Sequence, residues 1–195
     1  MQKRILENRS IDDGVVPSRR RFLKNMAYGS LLTLATPVLV EAAVWRFPSH
    51  KALAFQNLHT GDKLKLTYFE QGRYIKDALQ EINYVLRDFR TEQIHPIDPA
   101  LLDQLYDLKQ ILGASKPFHI LSGYRSPFTN AKLRKQSHGV AKNSLHMQGR
   151  AVDVRIAGID TRYLRNAALM MRQGGVGYYQ NSDFVHLDTG RFRTW

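Results

Sequence analysis

Two histidines and an aspartate stand out by type and spacing. His146 and Asp153 lie seven positions apart within Ser144-Leu145-His146-Met147-Gln148-Gly149-Arg150-Ala151-Val152-Asp153. His186 follows 33 positions after Asp153, within Asp183-Phe184-Val185-His186-Leu187-Asp188. Two neutral imidazoles and one carboxylate form an open ligand set for one Zn²⁺ ion, with a fourth position left for water. Water held there has its pKa lowered toward neutrality and becomes a hydrolytic nucleophile. One His and one Asp at such a spacing occur often by chance. The small residues Gly149 and Ala151 between them raise the signal, because they let the backbone turn tightly and aim both side chains at one place.

The pattern Ser-x-His-x-x-Gly-x-Ala-x-Asp with a later strand-borne His resembles the M15 group of zinc peptidases. That group includes D-Ala-D-Ala dipeptidases and carboxypeptidases, phage endolysins and periplasmic murein endopeptidases. Ser122-Gly123-Tyr124-Arg125-Ser126 resembles the arginine motif that precedes the zinc motif in the group. Gly174-Gly175-Val176-Gly177-Tyr178-Tyr179 precedes the last His in the same way. From about Leu58 to Trp195 the chain is most similar to the MepK-like murein endopeptidases.

The resemblance implies a zinc peptidase with the hedgehog-like fold of the group. It implies peptidoglycan stem peptides as the partner, with a favoured bond between two meso-diaminopimelate residues. It gives Arg125 a role at the scissile carbonyl or at a stem-peptide carboxylate, where a guanidinium offers a planar fork of donors. In many M15 enzymes an acidic residue three positions before the last His is the general base; here that residue is Asp183. On a strand, positions 183 and 186 face opposite sides unless Asp183 sits in the preceding turn. Asp188 shares the face of His186, and either orients that ring or acts as the base itself. Both acids stand as candidates. D,D- or L,D-carboxypeptidase action on stem peptides, or an inactive wall-binding module, are the alternatives.

Composition limits the other classes. The chain has 195 residues and no cysteine, which excludes disulfides, thiolate ligands, a cysteine nucleophile and a lipoprotein anchor. Its net charge of +12 suits an anionic polymer such as a cell wall. Nucleic acid is the minor reading of that charge, because no helix-turn-helix, RNA-binding aromatic pair or zinc finger is present.

Near the N-terminus, Ser18-Arg19-Arg20-Arg21-Phe22-Leu23-Lys24 matches the twin-arginine export motif at every defined position. The apolar run 26–40 follows it, interrupted by Gly29 and Pro37 and short for a bilayer span. The pair reads as a signal peptide recognised by the twin-arginine translocase, hence a periplasmic protein with no stable membrane span after signal removal. Small residues near Ala42 and near Ala54 offer cleavage points, and retention as an uncleaved anchor is the alternative. We therefore divide the chain into signal and linker, 1–54, and a zinc peptidase domain, 55–195.

The elements that must position the site read as follows. Alternation over 55–58 and 63–69 around His59-Thr60-Gly61-Asp62 predicts a hairpin. Ile75, Leu79, Ile82, Leu86 and Phe89 predict a helix over 74–89. Asp98-Pro99 opens a second helix with Leu101, Leu105, Leu108 and Leu112 inward, ended by Gly113. Residues 118–122 form a buried strand delivering Arg125, and Ser126-Pro127 caps a short helix to about 135. The basic segment 136–142 is a loop near the cleft, with His138 an exposed loop residue or a substrate contact. Asp160-Thr161 caps a helix whose inner side is Tyr163, Leu164, Ala167, Ala168 and Met171, with Met170 and Met171 filling core gaps. Strands over 176–179 and 184–187 follow, then a basic aromatic tail, 191–195, that lines the groove or packs on the domain. The sum is an α+β domain: a small antiparallel sheet carrying the ligands, packed against several helices.

Overall fold

The computed structural model describes residues 48–195 apart from His138. The twin-arginine motif, the apolar run and His138 lie outside the described residues. The expected hairpin forms from β1 (His50–Asn57) and β2 (Lys63–Glu70), paired antiparallel. Its inner side chains Leu53, Phe55 and Tyr68 are buried. Asn57 closes the turn by accepting from the amides of His59 and Thr60, and its amide nitrogen donates to the Val85 carbonyl at 2.9 Å. β3 (Arg73–Tyr74) extends the edge beside β2.

Helix α1 (Lys76–Val85) is shorter than its apolar stripe predicts. The chain leaves the helix at Leu86 because two buried polar residues follow. Arg87 binds Asp62 and Glu92, and Asp88 accepts from the amides of Arg90 and Ser126. Phe89 therefore sits off the helix and stacks on the ring of His59, with centroids 3.7 Å apart.

The capped elements match expectation. Asp98 accepts from the Ala100 amide at the start of α2 (Pro99–Ile111), which buries Leu101, Leu105 and Leu108. β4 (Phe118–Ser122) leads into α3 (Pro127–Gln136), where Ser126 accepts from the Thr129 amide. After β5 (Ala151–Ile156), Asp160 caps α4 (Thr161–Met171). Here the inner face is narrower than predicted. Leu164, Ala167 and Ala168 are buried and Met171 packs against the core, while Tyr163 is 66% and Met170 78% exposed. Successive helical positions are turned by about 100°, so Met170 and Met171 do not share a face.

β6 (Gly175–Tyr179), β7 (Phe184–Asp188) and β8 (Arg193–Thr194) complete an eight-stranded sheet ordered β3-β2-β1-β4-β5-β7-β6-β8. The fold is α+β as expected. The sheet is wider than a small antiparallel one because β1 joins β4 in parallel and β8 joins β6 in parallel. Its antiparallel centre, β4-β5-β7-β6, carries Asp153 and His186, while His146 lies off the sheet in the turn before β5. Among the described residues, no helix is long and apolar enough to cross a membrane.

Candidate metal centre and catalytic cleft

Register brings the three predicted ligands together. Asp153 on β5 is the direct cross-strand partner of His186 on β7. His146 arrives from the short 3-10 turn Leu145–Gln148, capped by Ser144 and ended by Gly149 in the left-handed region at φ 65°. A Cβ on Gly149 would come 2.1 Å from the Pro96 carbonyl oxygen, so the turn locks against the segment before α2 only with glycine there.

The donor atoms of His146, Asp153 and His186 all lie within 4.8 Å of one another. His146 Nε2 is 3.1 Å from His186 Nδ1 and 3.3 Å from Asp153 Oδ1; His186 Nδ1 is 2.8 Å from Asp153 Oδ1. Four ligands at zinc distances of about 2.0–2.1 Å stand roughly 3.3 Å apart at tetrahedral corners. The remaining ring nitrogens are occupied. His146 Nδ1 lies 2.7 Å from the Gly123 carbonyl, and His186 Nε2 lies 3.0 Å from Asp188 Oδ2. Each acceptor holds the N–H on the outer nitrogen and turns the inner lone pair toward the cluster. The donor set and its orientation fit a zinc ion.

Burial disfavours the imidazolium of His146 and lowers its pKa. Burial acts the same way on His186, but hydrogen bonds to Asp153 and Asp188 outweigh it and raise that pKa to about 9. Asp153 and Asp188 are also desolvated, yet their donors hold both well below the usual carboxylate range. Without a metal, His186 is a cation clamped between two carboxylates. Its raised pKa stabilises the metal-free fold below about pH 6.5, and this is lost as pH rises through about 9. Metal must displace that proton. Apparent zinc affinity is therefore expected to rise roughly tenfold per pH unit up to about pH 9 and then level off, with about one proton released at neutral pH. Calorimetry in buffers of different ionisation enthalpy checks this; no proton release would contradict it.

Arg125 follows β4, where Tyr124 donates its amide to Leu86 and Arg125 its amide to His146. Its Nη2 is 3.5 Å from Asp153 Oδ2, and its buried Nε has no partner among the described residues. Burial lowers its pKa, but a guanidinium stays charged. It lines, with His146, Asp153 and His186, a cleft of about 480 Å³. Tyr179, Phe184 and Trp195 supply an aromatic wall, and the loop after α3 supplies the rim. Asn130 anchors that loop by donating to the carbonyls of Ala141 and Lys142.

The two acidic candidates part company. Asp188 is fully buried and accepts five hydrogen bonds, from His186, Gly175, Gly190 and both terminal nitrogens of Arg193. Asp183 sits in the turn before β7 at φ 51°, bonded to Arg155 at 3.0 Å and Thr161 at 3.1 Å, and it is not among the side chains lining the cleft. Three supporting residues escaped sequence reasoning. Asp88 holds the start of α3 beside Arg125, Arg193 grips Asp188, and His95 stacks on Tyr124 at 4.7 Å. The one available signal was the basic aromatic tail, which does reach the cleft.

Residues 47–195 match the M15 peptidase family model described as peptidoglycan L,D-endopeptidase MepK. The chain is 45% identical over 180 residues to the peptidoglycan L,D-endopeptidase MepK of Escherichia coli (strain K12), covering 91% of this chain and 97% of that protein. The same identity and coverage hold for the protein of that name in Shigella flexneri. The probable peptidoglycan L,D-endopeptidase MepK of Haemophilus influenzae is 42% identical over 149 residues, 76% of this chain and 80% of that one.

Proposed function

The chain belongs to the M15 peptidase family of peptidoglycan L,D-endopeptidases, and from that premise we propose a zinc-dependent murein endopeptidase that cuts meso-diaminopimelate cross-links in the periplasm. It is a hydrolase acting on peptidoglycan. The observation that carries the metal reading is the double orientation of the histidines, each with its outer nitrogen on a fixed acceptor and its inner nitrogen facing Asp153.

Zinc held by His146, Asp153 and His186 would acidify a water and polarise the scissile carbonyl. The protein's own groups do the rest. Arg125 places a full positive charge at the cleft wall, suited to an oxyanion or a stem-peptide carboxylate. Asp188 holds His186 in one tautomer. We assign proton acceptance to Asp183. Asp188 already has five donors on a carboxylate that offers about four lone-pair sites, whereas Asp183 has two and is 60% exposed. Asp183 has to swing from Arg155 to reach the cleft.

The test is digestion of purified muropeptide dimers, 4-3 and 3-3 linked, with mass analysis of the products. Cleavage of the 3-3 link to monomers, abolished by chelator and restored by zinc, is expected. Release of single terminal residues without loss of dimer would establish a carboxypeptidase instead. Chelator-insensitive wall binding without products would establish a binding module.

Export by the twin-arginine route fits the motif at Arg19-Arg20. β1 begins at His50 and buries Leu53 and Phe55, so a cut at Ala54 would remove half a strand from the sheet. The exported protein is expected to start before His50, near residue 42, or to keep its leader. N-terminal sequencing that finds Phe55 first would contradict this.

A further inference from the structure

We propose that Arg193 is a positioning residue for the metal centre: through Asp188 it fixes the ring of His186, making β8 a working part of the site. The inference rests on the metal-binding reading above. Arg193 Nη2 lies 2.6 Å from Asp188 Oδ2 and Nη1 3.0 Å from Oδ1, a two-point grip that sets the plane of the carboxylate. Oδ2 of the same group holds His186 Nε2. The backbone amides of Gly175 and Gly190 reach Oδ1 alone, so Oδ2, the oxygen that holds His186, takes its other hydrogen bond from Arg193. Arg193 alone bridges both oxygens, which steadies the carboxylate and, through Oδ2, the direction of the His186 ring.

The surroundings are shaped for this pair. Ala151 and Gly175, both small, are the cross-strand neighbours of Asp188. A Cβ at Gly175 would come 2.5 Å from Asp188 Oδ2 and 2.6 Å from Arg193 Nη1. β8 is held by contacts that do not involve the guanidinium. The Trp195 amide donates to Val176, the Tyr178 amide donates to Trp195, and Trp195 Nε1 donates to the Tyr179 hydroxyl at 2.9 Å. The guanidinium also lies over the Trp195 ring at 5.0 Å, and when Arg193 is changed these backbone and Trp195–Tyr179 bonds remain to hold the strand. Its side chain is about a third exposed and lines the cleft, so the rival role is direct capture of a substrate carboxylate. The two roles differ in what they move: a substrate anchor raises KM and leaves zinc affinity alone.

The experiment titrates zinc against a competing chelator in wild type, Arg193→Ala and Arg193→Lys, with kcat and KM on a 3-3 linked dimer. Arg193→Ala is expected to bind zinc about 10–100-fold more weakly and to lose kcat with KM within a few fold. Lysine is expected to restore part of both, because it returns the charge without the fork. Unchanged zinc affinity in Arg193→Ala, or a KM defect alone, overturns the proposal. A wild type that takes up no zinc overturns the metal reading itself, so the two failures are distinguishable. Thermal unfolding of each metal-free variant reports folding, and Arg193→Gln serves the same comparison should the alanine variant not fold.

Discussion

His146→Ala and His186→Ala are each expected to lose zinc and hydrolytic activity together. The remaining pair of ligands holds an ion poorly, and ligand loss removes binding energy directly. On the proposed zinc mechanism activity should fall to background, out of an acceleration that in enzymes is typically about 10⁶-fold or more. The two variants should differ in stability. His146 is 2% exposed and donates to Gly123, so its removal leaves a buried carbonyl unpaired. Removing His186 strips one donor from Asp153 and one from Asp188, both buried. Asp153→Asn keeps the shape but leaves Arg125 without its nearest countercharge, 3.5 Å away. Zinc content after dialysis and turnover on a cross-linked dimer are the measurements. Stoichiometric zinc in either alanine variant would overturn the ligand assignment.

What the sequence disclosed follows the range of the interactions. The caps at Asp98-Pro99 and Ser126-Pro127 are local, and both helices start where those residues place them. The end of α1 was not legible, because Asp88 leaves the helix to meet the Ser126 amide 38 positions away. The parallel pairing of β1 with β4 and of β6 with β8 is likewise non-local, and it widens the sheet beyond what alternation suggests. Arg193 lies only five positions from Asp188. Its role was hidden because the contact needs β8 to run back along β6, which nothing in a five-residue basic aromatic tail specifies. The clustering of His146, Asp153 and His186 was legible because glycine and alanine at fixed offsets dictate the backbone, and the register of β5 on β7 then places Asp153 opposite His186.

The contrast between Asp183 and Asp188 has the second-largest expected effect and tests the division of labour between them. Asp188→Ala is expected to weaken zinc binding as well as turnover. It removes the acceptor of His186 Nε2 and leaves the Arg193 guanidinium, two of whose three hydrogen bonds end on that carboxylate, without its charged partner. An orienting partner of a ligand typically accounts for about 10–100-fold in affinity or activity. Asp183→Asn is expected to keep zinc and to slow hydrolysis by roughly 10²–10⁴-fold, the usual contribution of a positioned general base. Asparagine preserves shape and can still accept from Thr161, so the loss reports the proton acceptor rather than the fold. Arg155→Ala separates this role from a purely structural ion pair. If the pair only braces the turn before β7, Arg155→Ala and Asp183→Asn should be equally slow. If Asp183 is the base, freeing it from Arg155 leaves turnover near wild type while Asp183→Asn stays slow. Full activity of Asp183→Asn would remove Asp183 from the mechanism. Zinc content equal to wild type in Asp188→Ala would remove Asp188 from the support of His186.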